Sequence, residues 1–232
     1  MTNSNTHAVN EWNWDAAERS YRRALELDPD YSVAHHWYAQ LLSVLGHHDA
    51  AHTEIEAAQR CDPLSPAIAA FVSYTAFEAR RYEAAAAAAR HTLELDANAP
   101  LTHYMLGRAC AKLGDTANAI AVLEKGIRFA GSFPAMEGTL GYVYARSGAR
   151  PQAEQILATL RHRQLTHYVS PIDLAQVCLG LGDVDGTMAQ LEEGYRSRAI
   201  RMVIIGDPFF SELGSDARYR DLMARLHLPI QP

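Results

Sequence analysis

Histidine and cysteine are the side chains of this 232-residue chain that could most readily support chemistry. Five of the eleven histidines lie close together, at His35, His36, His47, His48 and His52. Clustered imidazoles can hold zinc or copper, so a metal site is one interpretation. The first two, however, are neighbours on different faces of a predicted helix, the next two lie in a turn, and no HExxH motif accompanies them. We therefore expect solvated or singly hydrogen-bonded histidines, with no metal and no other cofactor.

The three cysteines, Cys61, Cys110 and Cys178, are far apart and form no CxxC pair. This pattern is typical of reduced thiols in a cytosolic protein. Cys110 and Cys178 occupy a helical position that normally holds a large apolar residue, which predicts buried, inert thiols. No Ser/His/Asp order, glycine-rich phosphate loop or paired-carboxylate motif is present. The sequence therefore predicts that the protein is not an enzyme.

Composition excludes several further classes of function. The formal net charge is −6 and the basic residues form no run, which argues against a nucleic-acid partner. No stretch approaches the roughly 18 apolar residues that a membrane helix needs. The first residues have neither the basic nor the apolar region of a signal peptide. We therefore expect a cytoplasmic protein with no membrane partner.

The elements that must position any site are short amphipathic helices separated by Gly and Pro. Small or helix-ending residues recur every 34 residues along the chain. One set is Ala17, Ala51, Ala85, Ala119, Ala153 and Thr187; a second is Gly46, Arg80, Gly114, Gly148 and Gly182. The first set suits close contact between antiparallel helices, and the second suits a turn with positive φ. The pattern predicts an all-α fold of repeated helix pairs.

A helix–turn–helix unit of 34 residues resembles the tetratricopeptide repeat (TPR). The resemblance extends over residues 12–199 and includes the stretch Asp15-Ala-Ala-Glu-Arg-Ser-Tyr-Arg-Arg-Ala-Leu-Glu-Leu-Asp-Pro29. It implies a right-handed solenoid of antiparallel helix pairs. We expect a half repeat at 12–29 and repeats at 30–63, 64–97, 98–131, 132–165 and 166–199. Residues 1–11 contain too little apolar surface to supply the missing first helix, so we expect them to be poorly ordered or frayed.

Residues 200–232 are predicted to cap the last repeat. Asp207 would begin a short helix that ends at Gly214, and Ser215 would cap a final helix. The pattern Asp-Pro-Phe-Phe…Ser-Asp-Ala-Arg-Tyr-Arg-Asp-Leu, together with Trp12-Asn-Trp14, resembles the TPR regions of bacterial multidomain regulators. Such regions follow winged-helix, cyclase or kinase domains. The resemblance implies a regulatory arm.

In the TPR family, the face of each first helix that is turned away from the core lines a concave groove. The residues that this places in the groove are His36, Gln40, Tyr74, Phe77, Tyr104, Arg108, Lys112, Tyr142, Arg146 and Gln176. Tyrosine and arginine are enriched at interface hot spots, and three cations should converge here. The tyrosines could instead fill space between neighbouring helices. The family's clamp for peptide carboxylates is matched only at Arg108.

These features predict a protein-interaction scaffold that binds a peptide or partner protein, with acidic and aromatic residues, in the groove. Two alternatives remain open. One is self-association, in which a second copy covers Trp12, Trp14 and Tyr21 of the half repeat. The other is a regulatory domain that senses a small molecule.

Overall fold

The computed structural model of the protein describes residues 12–199, 201–202 and 205–230. Within these ranges it contains twelve α-helices and no strand. The helices are α1 (Trp14–Leu27), α2 (Ser32–Val44), α3 (His48–Cys61), α4 (Pro66–Glu78), α5 (Tyr82–Leu95), α6 (Pro100–Lys112), α7 (Thr116–Ala130), α8 (Pro134–Arg146), α9 (Arg150–Arg163), α10 (Pro171–Gly180), α11 (Val184–Arg196) and α12 (Ala217–Arg225). A short 3₁₀ helix, Phe210–Leu213, precedes α12. The all-helical prediction is confirmed.

The helices form antiparallel pairs that stack into a solenoid. We call α2, α4, α6, α8 and α10 the A helices, and α1, α3, α5, α7, α9 and α11 the B helices. Each A helix packs on the B helix that follows it and on neighbouring A helices. The small residues of the first recurring set are fully buried at the crossing points of each pair. At another crossing, a Cβ on Gly107 would lie only 2.4 Å from Cγ of Leu123, so this helix contact requires glycine.

The turn between the two helices of each pair contains, at an equivalent position, one residue with a left-handed backbone conformation. Glycine occupies this position in four of the five pairs, with φ between 77° and 86°. In the α4–α5 pair the position is held by Arg80, whose φ is 60°. A left-handed conformation costs a non-glycine residue roughly 1–2 kcal/mol, so the packing of the flanking helices maintains this turn at Arg80.

The chain after α11 returns across the solenoid and joins its two ends. Met202 packs against Gly194 of α11, and Phe209 reaches the A helices in the middle of the chain. The indole Nε1 of Trp14 in α1 donates a 2.6 Å hydrogen bond to the carbonyl oxygen of Leu226, just beyond α12. One hydrophobic cluster therefore contains residues from both the beginning and the end of the described chain.

This closure changes two expectations about the ends of the chain. The apolar face of the half repeat was predicted to be open for a second copy, but Trp14 and Tyr21 are buried. Residues that follow α12 cover Trp14, so this part of the face is not open to a second copy, while Trp12 is half-buried. The final helix is capped by Asp216, whose side chain accepts from the Arg218 N–H, rather than by Ser215. The expectation for residues 1–11 lies outside the described residues.

Where the chain is described, no helix is both long enough and apolar enough to cross a membrane.

Candidate ligand-binding groove

The face of the A helices that was predicted to line the groove is in contact with residues 205–213, which we call the C-terminal segment. The segment runs along α4, α6 and α8 and is buried at Ile205, Asp207, Phe209, Phe210 and Leu213. It carries no long helix, because Pro208 and the short 3₁₀ turn keep it compact. The groove predicted for an external ligand thus already contains part of the chain itself.

Arg108 of α6 is the centre of the groove. Its side chain is only 1% exposed, and its Nη2 donates to Glu78 Oε1 at 3.2 Å and to Asp207 Oδ2. The guanidinium carbon lies 4.1 Å from the centre of the Phe77 ring. Helices α4 and α6, together with the C-terminal segment, thus place one buried cation between two carboxyl groups and above an aromatic face. Such charge-assisted hydrogen bonds in a dry environment are among the strong ones in proteins.

Asp207 has two separate roles at its two carboxylate oxygens. Oδ2 accepts from Arg108, while Oδ1 accepts a 2.9 Å hydrogen bond from the Phe209 N–H. The main-chain N–H of Phe210 also donates to the Asp207 carbonyl oxygen. The same residue therefore fixes the turn of the C-terminal segment and attaches that turn to α6.

An aromatic contact follows two residues after Asp207. The ring of Phe209 stacks on Phe77 with 5.8 Å between centroids and meets Tyr142 edge-on at 4.9 Å. Nζ of Lys112 lies 5.4 Å from the centre of the Phe209 ring and donates a 3.0 Å hydrogen bond to the carbonyl oxygen of Pro208. Helices α4, α6 and α8 each contribute to this pocket, which recognises both a ring and a main-chain oxygen.

Two further ion pairs flank the central one. Arg201 lies 3.0 Å from a carboxylate oxygen of Asp173 in α10, and it donates to the Tyr104 hydroxyl at 3.2 Å. At the opposite rim, Arg146 lies 3.7 Å from Glu212, and its side chain is more than half exposed. The predicted cations Arg108, Lys112 and Arg146 thus all contact the C-terminal segment.

Burial dominates the electrostatics of the groove. Burial, and then the negative charge of Asp207, raise the pKa of Glu78 to about 8, although Arg108 acts in the opposite direction. Burial also raises the pKa of Asp173, against the influence of Arg201, and lowers the pKa of Lys112. The raised pKa favours the protonated form of Glu78, which allows one guanidinium to serve two carboxyl groups.

The other predicted groove residues are buried by packing within the solenoid. His36 stacks on Trp37 at 4.8 Å, and burial lowers the pKa of its imidazole to about 4. Gln176 accepts a hydrogen bond from Thr139, and Gln40 is half-buried. Tyr74 and Tyr104 are buried against Phe71 and Phe133 respectively, so these tyrosines do fill space between helices.

The sequence interpretation missed the partners of the groove. Asp207 and Phe209 were assigned to a cap, and Arg201 and Asp173 were not selected. The available signal was the Asp-Pro-Phe-Phe motif, which carries a charge opposite to that of the Arg108 cluster and a ring that suits Phe77 and Tyr142. A motif of this kind points to a contact but does not identify the repeat that it reaches.

The histidines and cysteines do not form a chemical site in the described part of the chain. No three His, Cys, Asp or Glu side chains there are placed to hold a metal ion. His35 pairs with Glu54 at 2.6 Å, away from the turn histidines. Burial raises the pKa of the Cys110 and Cys178 thiols, which disfavours the nucleophilic thiolate.

The fold and the groove define a helical-repeat protein, a class typical of non-catalytic scaffolds. Residues 11–73 and residues 73–133 match two family models, each described as a tetratricopeptide repeat. These parts of the chain are therefore TPRs. No curated protein matches the sequence.

Several solved structures share the fold at low sequence identity. A thermophilic TPR protein of Thermus thermophilus is 20% identical, with a TM-score of 0.59 over 84% of this chain and 97% of that one. PilW, a type IV pilus biogenesis factor, is 18% identical, with a TM-score of 0.60 over 83% and 91%. PilF of Pseudomonas aeruginosa is 16% identical, with a TM-score of 0.57 over 95% and 94%. At these identities the likeness concerns the fold alone.

Proposed function

We propose that this protein is an interaction scaffold whose concave face binds a peptide segment of a partner protein. One observation carries the proposal: this face already holds a compact chain segment through ion pairs, a main-chain hydrogen bond and ring contacts. These are the elements of peptide recognition, since rings supply buried area and charged groups supply register.

The outer surface of the solenoid contains fewer groups that could contribute binding free energy to a partner. Exposed ion pairs within single helices, such as Arg22–Glu18 and Arg150–Glu154, are typical of its B helices. Pairs of this kind are solvated and contribute little free energy. The groove combines cations with aromatic rings, whereas the B helices carry mainly solvated charge. This contrast favours binding at the concave face.

We further propose that the scaffold is the regulatory arm of a larger bacterial protein and acts in the cytoplasm. The resemblance of residues 207–222 and of Trp12-Asn-Trp14 to TPR regions of multidomain regulators supports the first part. The unpaired Cys61, Cys110 and Cys178 support the second, because reduced thiols are usual in that compartment.

Selection of peptides from a displayed random library against the full chain tests the groove assignment. Arg146→Glu and Arg150→Glu make a matched pair of variants, because both arginines are more than half exposed and each is paired with one glutamate. Selected peptides should bind the wild type and Arg150→Glu equally, and should bind Arg146→Glu at least about tenfold more weakly. Peptides that lose binding only with Arg150→Glu would show that the outer face is the binding surface.

A further inference from the structure

The C-terminal segment shows which chemistry the groove accepts. It presents a carboxylate to Arg108 and, two residues later, an aromatic ring to Phe77 and Tyr142. Between these, the carbonyl oxygen of Pro208 accepts from Lys112. A main-chain carbonyl exists in any peptide, so the selective features are the acid and the ring.

The groove is built so that the loss of this carboxylate leaves no unpaired cation. Arg108 also donates to Glu78, which belongs to α4 and stays in place whether or not the segment is bound. The negative charge of Asp207, after burial, raises the pKa of Glu78, so departure of Asp207 lowers that pKa and favours ionised Glu78 beside Arg108. The buried cation thus keeps one charged partner and avoids the large penalty of an isolated ion. Asp207 is therefore the exchangeable member of the cluster, and Glu78 the permanent one.

We propose that the C-terminal segment is an internal ligand and that the partner displaces it with a segment of the same chemistry. The partner segment carries an aspartate or glutamate and, two residues later, an aromatic residue. This inference rests on the proposed function, because it names the ligand class for the same groove. The internal segment also determines how tightly a partner must bind to displace it, because a tethered ligand competes at an effective concentration on the order of millimolar.

A fluorescent peptide that copies residues 206–213, Gly-Asp-Pro-Phe-Phe-Ser-Glu-Leu, tests the proposal on the full chain. Asp207→Asn removes the ion pair of the internal segment and preserves its shape. This variant should bind the peptide at least about tenfold more tightly than the wild type, as measured by fluorescence anisotropy. A control peptide with Asn in place of Asp should bind it about tenfold more weakly. When Arg108→Gln is added to Asp207→Asn, the two peptides should bind with equal affinity.

Phe209→Ala offers a second way to loosen the segment, and circular dichroism establishes that each variant is folded. If folded Asp207→Asn and Phe209→Ala bind neither peptide, the segment is a fixed part of the core and the proposal fails. Hydrogen exchange on the wild type is a test that needs no substitution, so its result does not depend on whether a variant folds. The amides of Phe209, Phe210 and Gly214 should exchange before those of α4 and α6. Exchange of all of them only through global unfolding would overturn the proposal.

The outcomes separate this inference from the proposed function. Displayed peptides that depend on Arg146 but lack the acid–ring pattern would sustain a peptide-binding groove and refute the ligand class named here. Binding of the copied peptide to Asp207→Asn, combined with displayed peptides that depend only on Arg150, would sustain the internal ligand and refute the groove as the partner site.

Discussion

Replacement of Arg108 by methionine should strongly destabilise the protein. The change removes the cation but leaves Glu78 and Asp207 in the groove, where both are almost fully buried. Removing one member of a buried ion pair costs about 3–5 kcal/mol, because the remaining charge has no compensation. The aliphatic part of methionine still fills the space above Phe77, so most of the loss is electrostatic. The matched variant Arg146→Met removes an exposed arginine, for which a loss below about 1 kcal/mol is expected.

The pH dependence of this loss distinguishes electrostatics from packing. Burial already holds the pKa of Glu78 near 8, and without Arg108 that pKa rises further. At about pH 5 Glu78 is protonated in both proteins, so the loss in Arg108→Met comes from the contact with Asp207 alone. At about pH 9 Glu78 is ionised in the wild type but stays protonated in the variant, so the loss is larger, by at most about 1.4 kcal/mol per pH unit. Urea unfolding at both pH values measures the difference in free energy of unfolding. A loss that is equal at the two pH values, or no larger than that of Arg146→Met, would refute this account of the groove.

Two further predictions concern the same network and the closure of the solenoid. Because the folded pKa of Glu78 is raised from 4.5 to about 8, its contribution to stability is complete below pH 4.5 and is lost as the pH rises through 8. Glu78→Gln should remove this part of the pH dependence, which for one proton is at most about 1.4 kcal/mol per pH unit, and urea titrations across this pH range should show a flatter profile. Trp14→Ala should lower the free energy of unfolding by about 3–5 kcal/mol, because the indole is buried and bonded to the carbonyl of Leu226. A loss below about 1 kcal/mol in urea unfolding would mean that the ends of the solenoid do not hold each other.

The helix pairs could be predicted because they are determined by residues that are close together in sequence. A left-handed turn residue and a small contact residue recur at a fixed interval, and each acts within about a dozen residues of its own position. Even Arg80, the exception in the turn set, adopts the conformation of the glycines around it. The repeat spacing over-determines this turn, so one unfavourable residue does not change the fold.

The segment that occupies the groove could not be predicted, because it is held by contacts between residues that are distant in sequence. Arg108 and Asp207 are 99 residues apart in sequence, and no periodic pattern relates them. Helical periodicity placed Arg108 on the face of α6 that is turned away from the core of its own helix pair, but it could not show that this face would be covered. Arg108, which was expected to be available to a ligand in the groove, is instead buried. Asp207 and Phe209, which were expected in a cap on the last repeat, contact α4, α6 and α8 in the middle of the solenoid.

The proposed exchange of ligands in the groove is linked to the ends of the solenoid. The chain runs without interruption from the C-terminal segment through α12 to Leu226, which accepts from Trp14. A partner that displaces Asp207 and Phe209 therefore also loosens the restraint on α12, and the free energy that joins α12 to α1 opposes that displacement. Coupling of this kind is reciprocal. Weakening the contact at Trp14 must then favour the partner in the groove, and a partner in the groove must favour release of Trp14. In the proposed exchange, a single continuous segment thus links ligand binding in the groove to the state of the first helix.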